Sequence, residues 1–256
     1  MTLPAVFSAG LGTKRAVETP IPLRERELEA KLEILQRNYA ELNTAIFEAA
    51  QVHRRLCAPS LVRRGAFDVA SEIFAVRHLP GDFFSIEETS KGLVLALGDI
   101  GGKGLAAGMW VTHLVGLLRM HTAVNSDPEA IVAGVNRDIA CLAGVEPALL
   151  LRVDGRLELL SDGGPVLGVV PGIRFDRGSV ILGGGDLLLA CSDGILESFN
   201  EADQEFGGKR LETELRRARG GSAESVLFSV LGAVQDFAAP RPLTDDMTLV
   251  VVRNND

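Results

Sequence analysis

The chain has 256 residues, 46% of them hydrophobic and 23% charged, enough apolar material for a sizeable core. A formal net charge of −8 and a pI near 5.1 argue against a nucleic-acid surface and a polybasic membrane anchor. Cys57, Cys141 and Cys191 are far apart and lack ligand spacing, which points to a reducing, cytoplasmic setting and no disulfide framework. No run reaches the roughly 18 apolar residues of a membrane span. The opening MTLPAVFSAG lacks the basic-then-apolar order of a secretory signal.

Residues 1–22 are rich in Gly, Pro, Ser and Thr and read as a flexible arm. From 23 to 58 the pattern changes. Leu28, Leu32, Leu35, Tyr39, Leu42, Ile46, Ala49, His53 and Leu56 alternate four- and three-residue steps, a heptad seam flanked by mixed charges. This predicts a coiled-coil helix and a homodimer through residues 28–56, with Pro59 as the stop. His53 on the seam reads as a residue tolerated near a helix end.

Short strands follow. Phe67 to Ile73 alternates in part, Asp82 to Ile86 follows a His78-Leu79-Pro80-Gly81 turn, and Glu87 to Gly92 reads as a hairpin loop. Leu93 to Leu97 is a buried strand that stops at Gly98-Asp99. A glycine-rich turn (Gly101, Gly102, Gly104) then opens an apolar helix to Thr122. Asp127 caps a helix started by Pro128 and reaching about Leu142. Further strands are expected at Ala148–Val153, Arg156–Leu160, Val166–Val170, Ser179–Leu182 and Asp186–Cys191. Helices are expected at Gly208–Arg219 and Ala223–Phe237, and a last strand at Met247–Val252.

Asp82, Asp99, Asp193 and the pair Asp245-Asp246 share one pattern: a carboxylate at the end of an apolar strand, beside Gly, Ser or Thr. Carboxylates taken out of water need compensation, and oxygen-only sites suit hard cations such as Mg²⁺ or Mn²⁺. Two such ions can activate a water and clamp a phosphoryl group. Gly102 to Ala107 also fits a relaxed dinucleotide fingerprint, G-x-G-x-x-A. That reading needs an acid about 20 residues on, after a strand, where this sequence has a helix and no acid.

Four ordered motifs resemble the PPM class of metal-dependent serine/threonine phosphatases (protein phosphatase 2C-like), above all its bacterial SpoIIE-type, sigma-factor-regulating branch. They are Gly81-Asp82-Phe83-Phe84, Gly98-Asp99-Ile100-Gly101-Gly102-Lys103-Gly104, Ser192-Asp193-Gly194-Ile195-Leu196-Glu197 and Asp245-Asp246-Met247-Thr248. The resemblance implies an α+β fold over residues 66–253, an αββα sandwich of two antiparallel sheets flanked by helices. It implies two Mn²⁺ or Mg²⁺ ions. Asp99 would bridge both, with the Ile100 carbonyl adding a ligand. Asp193 and Asp245 would hold one ion and Asp82 the other, with Asp246 next in line. Asp99 and Asp193 would be catalytic, a metal-bridging hydroxide would hydrolyse a phosphoserine or phosphothreonine, and the substrate would be a phosphorylated anti-sigma-factor antagonist.

The chain departs from the family pattern at two places. Position 85 is Ser where the family often has an acid. Between about Leu142 and Ala148 there is no room for a further strand pair or its Asn-Ala-Gly-His turn. The expected sandwich therefore lacks one strand pair near 145–148. The alternative is a catalytically degenerate phosphatase fold acting as a dimeric binding or scaffold module.

Overall fold

The computed structural model describes residues 23–57, 61–76, 79–102, 104–139, 143–144 and 148–256. The predicted arm, Pro59, His78, Lys103, Cys141 and the stretch 145–147 lie outside the described residues. The chain divides into two units, 1–44 and 45–256. In the first unit, helix α1 (Leu23–Leu56) exposes its seam: Leu28, Leu35 and Tyr39 are 58%, 64% and 65% exposed. The seam changes character in the second unit. Ile46, Ala49 and Leu56 are half-buried and His53 is buried. Arg119 donates to the Leu56 carbonyl at 2.7 Å, pairing one of the carbonyls that a helix end leaves open. The free seam of the prediction is thus its first half, and His53 belongs to the interior of the second unit.

The second unit holds two antiparallel sheets. The larger has six strands in the order β1-β2-β9-β8-β6-β7: β1 (Leu61–Arg64), β2 (Phe67–Phe74), β6 (Ala148–Leu151), β7 (Leu157–Leu160), β8 (Leu187–Cys191) and β9 (Met247–Asn254). The smaller has three, in the order β3-β4-β5: β3 (Asp82–Thr89), β4 (Gly92–Ile100) and β5 (Ala143–Gly144). The helices are α2 (Leu105–Val124), α3 (Pro128–Asp138), α4 (Asp193–Leu196), α5 (Gly207–Ala218) and α6 (Ala223–Ala238).

Strand side chains alternate between faces, and the larger sheet uses both. Met247, Leu249 and Val251 of β9, with Leu187 and Leu189 of β8, pack with Leu211, Leu215, Val226 and Val230 of α5 and α6. Val250, Val252 and Val69 point the other way and share a core with Phe84 and Ile86 of β3 and with Val111, Leu114 and Val115 of α2. Burying each of these large side chains is worth roughly 1.5–3 kcal/mol, so the layers hold as helix, sheet, sheet, helix. Helix α2 follows its apolar stripe: Ala107, Val111, Leu114, Val115 and Leu118 are its buried face.

The shortfall near 145–148 falls on the smaller sheet. β5 pairs only with Asp99 and Ile100 of β4, and among the described residues no strand pairs with the rest of that edge. Three expectations need correction. Strands Val166–Val170 and Ser179–Leu182 do not form. Val166, Val169 and Val170 are exposed and only Leu167 of that run is buried. Gly168 has φ +81°, unsuited to a strand, and Asn136 of α3 holds the turn by accepting from the Gly168 N–H and donating to the Val170 carbonyl. Ile181 is 85% exposed. Helix α3 ends at Asp138 rather than near Leu142. Strand β1 was not anticipated; it joins β2 through a two-residue turn with Gly65 at φ +57°, a hairpin conformation that favours glycine.

Candidate active site

The strand-end carboxylates come together at one end of the second unit because of the sheet register. Asp82, the first residue of β3, stands directly opposite Asp99 near the end of β4. Like charges placed so repel. Asp193 opens α4 just after β8, and Asp245 and Asp246 lie just before β9, the neighbour of β8. The charges of Asp193, Asp245 and Asp246 all act on Asp99.

Burial pushes the Asp99 carboxyl up to about 6, and the charges of Asp193 and Asp245 push the same way. Asp82 is more enclosed. Burial raises it to about 7 against the opposing hydrogen bonds from Ser192 and Thr248. The Thr248 hydroxyl donates to Asp82 Oδ2 at 2.6 Å. Ser192 and Thr248 are fully buried and tied to each other: Ser192 N–H donates to the Thr248 carbonyl, and Thr248 N–H donates to Ser192 Oγ, both at 3.0 Å. This pair, missed in the sequence reading, links the ends of β8 and β9 to Asp82. Ser192 and Thr248 each stand inside one of the motifs, which was the available signal.

Two glycines make the approach possible. A Cβ at Gly194 would collide with the Asp246 carbonyl oxygen, so the chain can bring α4 against residues 245–246 only without a side chain there. A Cβ at Gly81 would stand 2.8 Å from Asp99 Oδ1, 3.3 Å from the Ile100 carbonyl oxygen and 3.5 Å from that of Gly102. Three oxygens face one small space, and the absent side chain keeps it open. A cavity of about 90 Å³ lies here, lined by Gly81, Asp99, Gly102, Asp245 and Asp246 among others.

Asp246 has a different part. Its Oδ1 accepts from the Val76 N–H at 2.9 Å and its Oδ2 from the Gly81 N–H at 3.1 Å. Both ends of the connection between β2 and β3 are thereby pinned to the start of β9. Ser85, where the family pattern often has an acid, is buried and donates to Glu87 at 2.8 Å.

The donor set is oxygen-only and rich in negative charge, which suits a hard divalent cation. Asp99 Oδ1 with the Ile100 and Gly102 carbonyls forms a cradle of the right chemistry. Among the described residues, no three His, Cys, Asp or Glu side chains stand close enough to hold a metal ion between them. Carbonyl oxygens and movement of the carboxylates would have to complete a site.

Comparison with known proteins agrees with this architecture. The family model described as "Stage II sporulation protein E (SpoIIE)" matches residues 139–255. That match spans a little under half of the chain, and the fold is the one seen in solved PP2C phosphatase domains. Among solved structures, the SiaA-PP2C domain of Pseudomonas aeruginosa has a TM-score of 0.71 at 14% identity, covering 84% of this chain and 98% of that one. The PP2C phosphatase domain of SpoIIE from Bacillus subtilis, with a fragment of its regulatory domain, has a TM-score of 0.62 at 19% identity, covering 77% and 64%. RsbX in complex with magnesium has a TM-score of 0.56 at 14% identity, covering 75% and 97%. Identities this low carry the fold alone. Protein IcfG of Synechocystis is 25% identical over 122 residues, 44% of this chain; the match spans 18% of that protein's length.

Proposed function

We propose that this chain is a divalent-metal-dependent protein serine/threonine phosphatase, acting on a phosphorylated anti-sigma-factor antagonist. One observation carries the reading. Asp82, Asp99 and Asp193 come from three elements, and Asp245 from the segment before β9, to one end of the sandwich, beside an oxygen cradle, and no structural need explains such crowding. The SpoIIE match and the magnesium-bound fold relative support it. Asp99 would serve both of two Mn²⁺ or Mg²⁺ ions, with the Ile100 carbonyl adding a ligand. Asp193 and Asp245 would hold one ion and Asp82 the other. Bound cations would supply positive charge to an attacking water and to the phosphoryl oxygens. The chain's own work is to hold Asp82 through Thr248 and Ser192, to keep the cradle clear at Gly81, and to fix the Gly81 backbone through Asp246. Because both Asp246 oxygens accept backbone N–H groups, we assign it to positioning rather than to direct ligation.

We further infer a homodimer through the exposed half of the seam, Leu28 to Leu42, and a cytoplasmic setting without nucleic acid or membrane as partner. Among the described residues no helix is long and apolar enough to cross a membrane.

The second reading is a phosphatase fold kept as a dimeric binding module. The short smaller sheet and the lack of a ready three-carboxylate cluster favour it. Hydrolysis of p-nitrophenyl phosphate with and without Mn²⁺, beside Asp193→Ala, separates the two. Turnover that needs Mn²⁺ and disappears in the variant supports the enzyme. No turnover, with no Mn²⁺ binding by calorimetry, establishes the binding module.

A further inference from the structure

Helix α2 is apolar on both sides. From Leu105 to Leu118 its only ionisable side chain is His113. A helix that is apolar all round is ordinarily buried all round. Here Ala107, Val111, Leu114 and Leu118 are buried, yet on the first two turns Leu105 is 52%, Met109 67% and Trp110 36% exposed. The Trp110 ring stands edge-on to that of exposed His113, with centroids 5.9 Å apart, an arrangement that steadies the indole. Methionine beside it adds an apolar side chain that adapts to what it meets.

This patch adjoins the acidic cavity. Gly102 and Gly104 line the cavity, and Leu105 follows directly as the first residue of α2. Leu79, another wall of the cavity, packs so closely on α2 that a Cβ at Gly108 would stand 3.0 Å from it. Met109 and Trp110 come next in the chain. At about 1.5 Å of rise per residue, Gly104 to Trp110 spans roughly 9 Å, the length of about three extended residues.

Electrostatics limit how a phosphorylated partner is held here. Phosphoserine carries about −1.5 to −2 charges at pH 7. The chain itself carries −8, and several of its carboxylates act on Asp99 at this end. Long-range attraction therefore does not bring such a partner in. Apolar contact carries no such penalty, and it is worth about 25 cal/mol for each Å² removed from water.

We propose that the first two turns of α2 are the substrate-docking surface of the acidic site. Leu105, Met109 and Trp110 hold a segment of a phosphoprotein that carries large apolar side chains about three residues from its phosphoserine or phosphothreonine. The proposal rests on the phosphatase reading and adds the feature by which a substrate is chosen.

The test uses the full chain with Mn²⁺ and three substrates. One is p-nitrophenyl phosphate, too small to reach the patch. The others are phosphoserine peptides, alike except that one has leucine and phenylalanine at the flanking positions and the other has serine there. The leucine–phenylalanine peptide should have a KM about tenfold lower at similar kcat, the gain from burying roughly 55 Å² of apolar surface. Leu105→Gln and Met109→Gln, both at exposed positions, should each raise that KM severalfold and leave the serine peptide and p-nitrophenyl phosphate unchanged. Trp110 is the only tryptophan of the chain, so its fluorescence should shift saturably with the leucine–phenylalanine peptide and not with the serine one. Turnover of p-nitrophenyl phosphate with equal KM for the two peptides would overturn the docking surface and leave the phosphatase reading standing. So would variants that slow all three substrates alike. Loss of self-association in Met109→Gln, seen by sedimentation with no change in peptide KM, would give the face to a second copy and overturn the proposal. No turnover of any substrate would overturn the phosphatase reading, and this proposal with it.

Discussion

Asp99→Asn removes one charge from the acidic end while nearly keeping its shape. Asp99 faces Asp82 across the β3–β4 ladder, and burial with the charges of Asp193 and Asp245 lifts it from 3.8 to about 6. A folded-state value above the unfolded one means that the folded protein holds the proton more tightly. The stability tied to that proton is fully present below about 3.8 and is lost as pH rises through about 6. Two units correspond to about 3 kcal/mol. Asp99 is only half-buried, so solvent screening reduces this to roughly 1–2 kcal/mol. In chelator at pH 8, Asp99→Asn should therefore be more stable than the parent, raising the melting temperature by roughly 3–6 °C for a unit of this size. At pH 4 the gain should largely vanish, because the parent then carries the proton. Thermal unfolding followed by circular dichroism reads both values. A variant no more stable than the parent at pH 8, or a gain that persists at pH 4, would refute the account of a carboxylate strained by burial and by its neighbours' charge. With Mn²⁺ present the order should reverse, since the parent gains stability from bound cation that the variant lacks.

Thr248→Val should leave Asp82 without its 2.6 Å donor; the expected cost is about 1–3 kcal/mol, read by urea unfolding, together with weaker Mn²⁺ binding by calorimetry. Gly194→Ala should push α4 away from the Asp246 carbonyl, and Mn²⁺ affinity should fall at least tenfold even where the variant still folds. Leu35→Asp combined with Leu42→Asp should give a monomer by sedimentation. A parent that already sediments as a monomer would remove the dimer from the picture.

The acidic site was legible because strand-end carboxylates beside glycine stand out against the apolar runs that precede them. The pairing of β3 with β4 then put Asp82 opposite Asp99, a relation that follows from the hairpin register once the turn near Ser90 is placed. Ser192 and Thr248 were harder to read. A hydroxyl acts through the partner that the fold brings to it, and these two are 56 residues apart in sequence. The segment after β7 misled for another reason. Hydrophobicity marks a strand only where an edge is available to pair with it, and Val166 to Val170 met α3 through Asn136 instead. Strand β1 escaped notice because its four residues include two arginines and its burial alternates only weakly. The heptad pattern of α1 was plain, but periodicity alone does not say what covers a seam. Its first half is exposed, and its second half packs within the second unit.

The connection between β2 and β3 stands between two cavities. Ala75 and Pro80 line one of about 300 Å³ beside the last turns of α1, while Val76, Leu79 and Gly81 line the acidic one. Asp246 grips it at Val76 and Gly81. A segment lining both cavities would couple them only through a change in its own position. A molecule that shifts the wall from one side changes cation affinity on the other, and by linkage a cation must change that molecule's affinity by the same factor. The two affinities form a closed cycle, so measuring either one with and without saturating amounts of the other species gives the whole coupling.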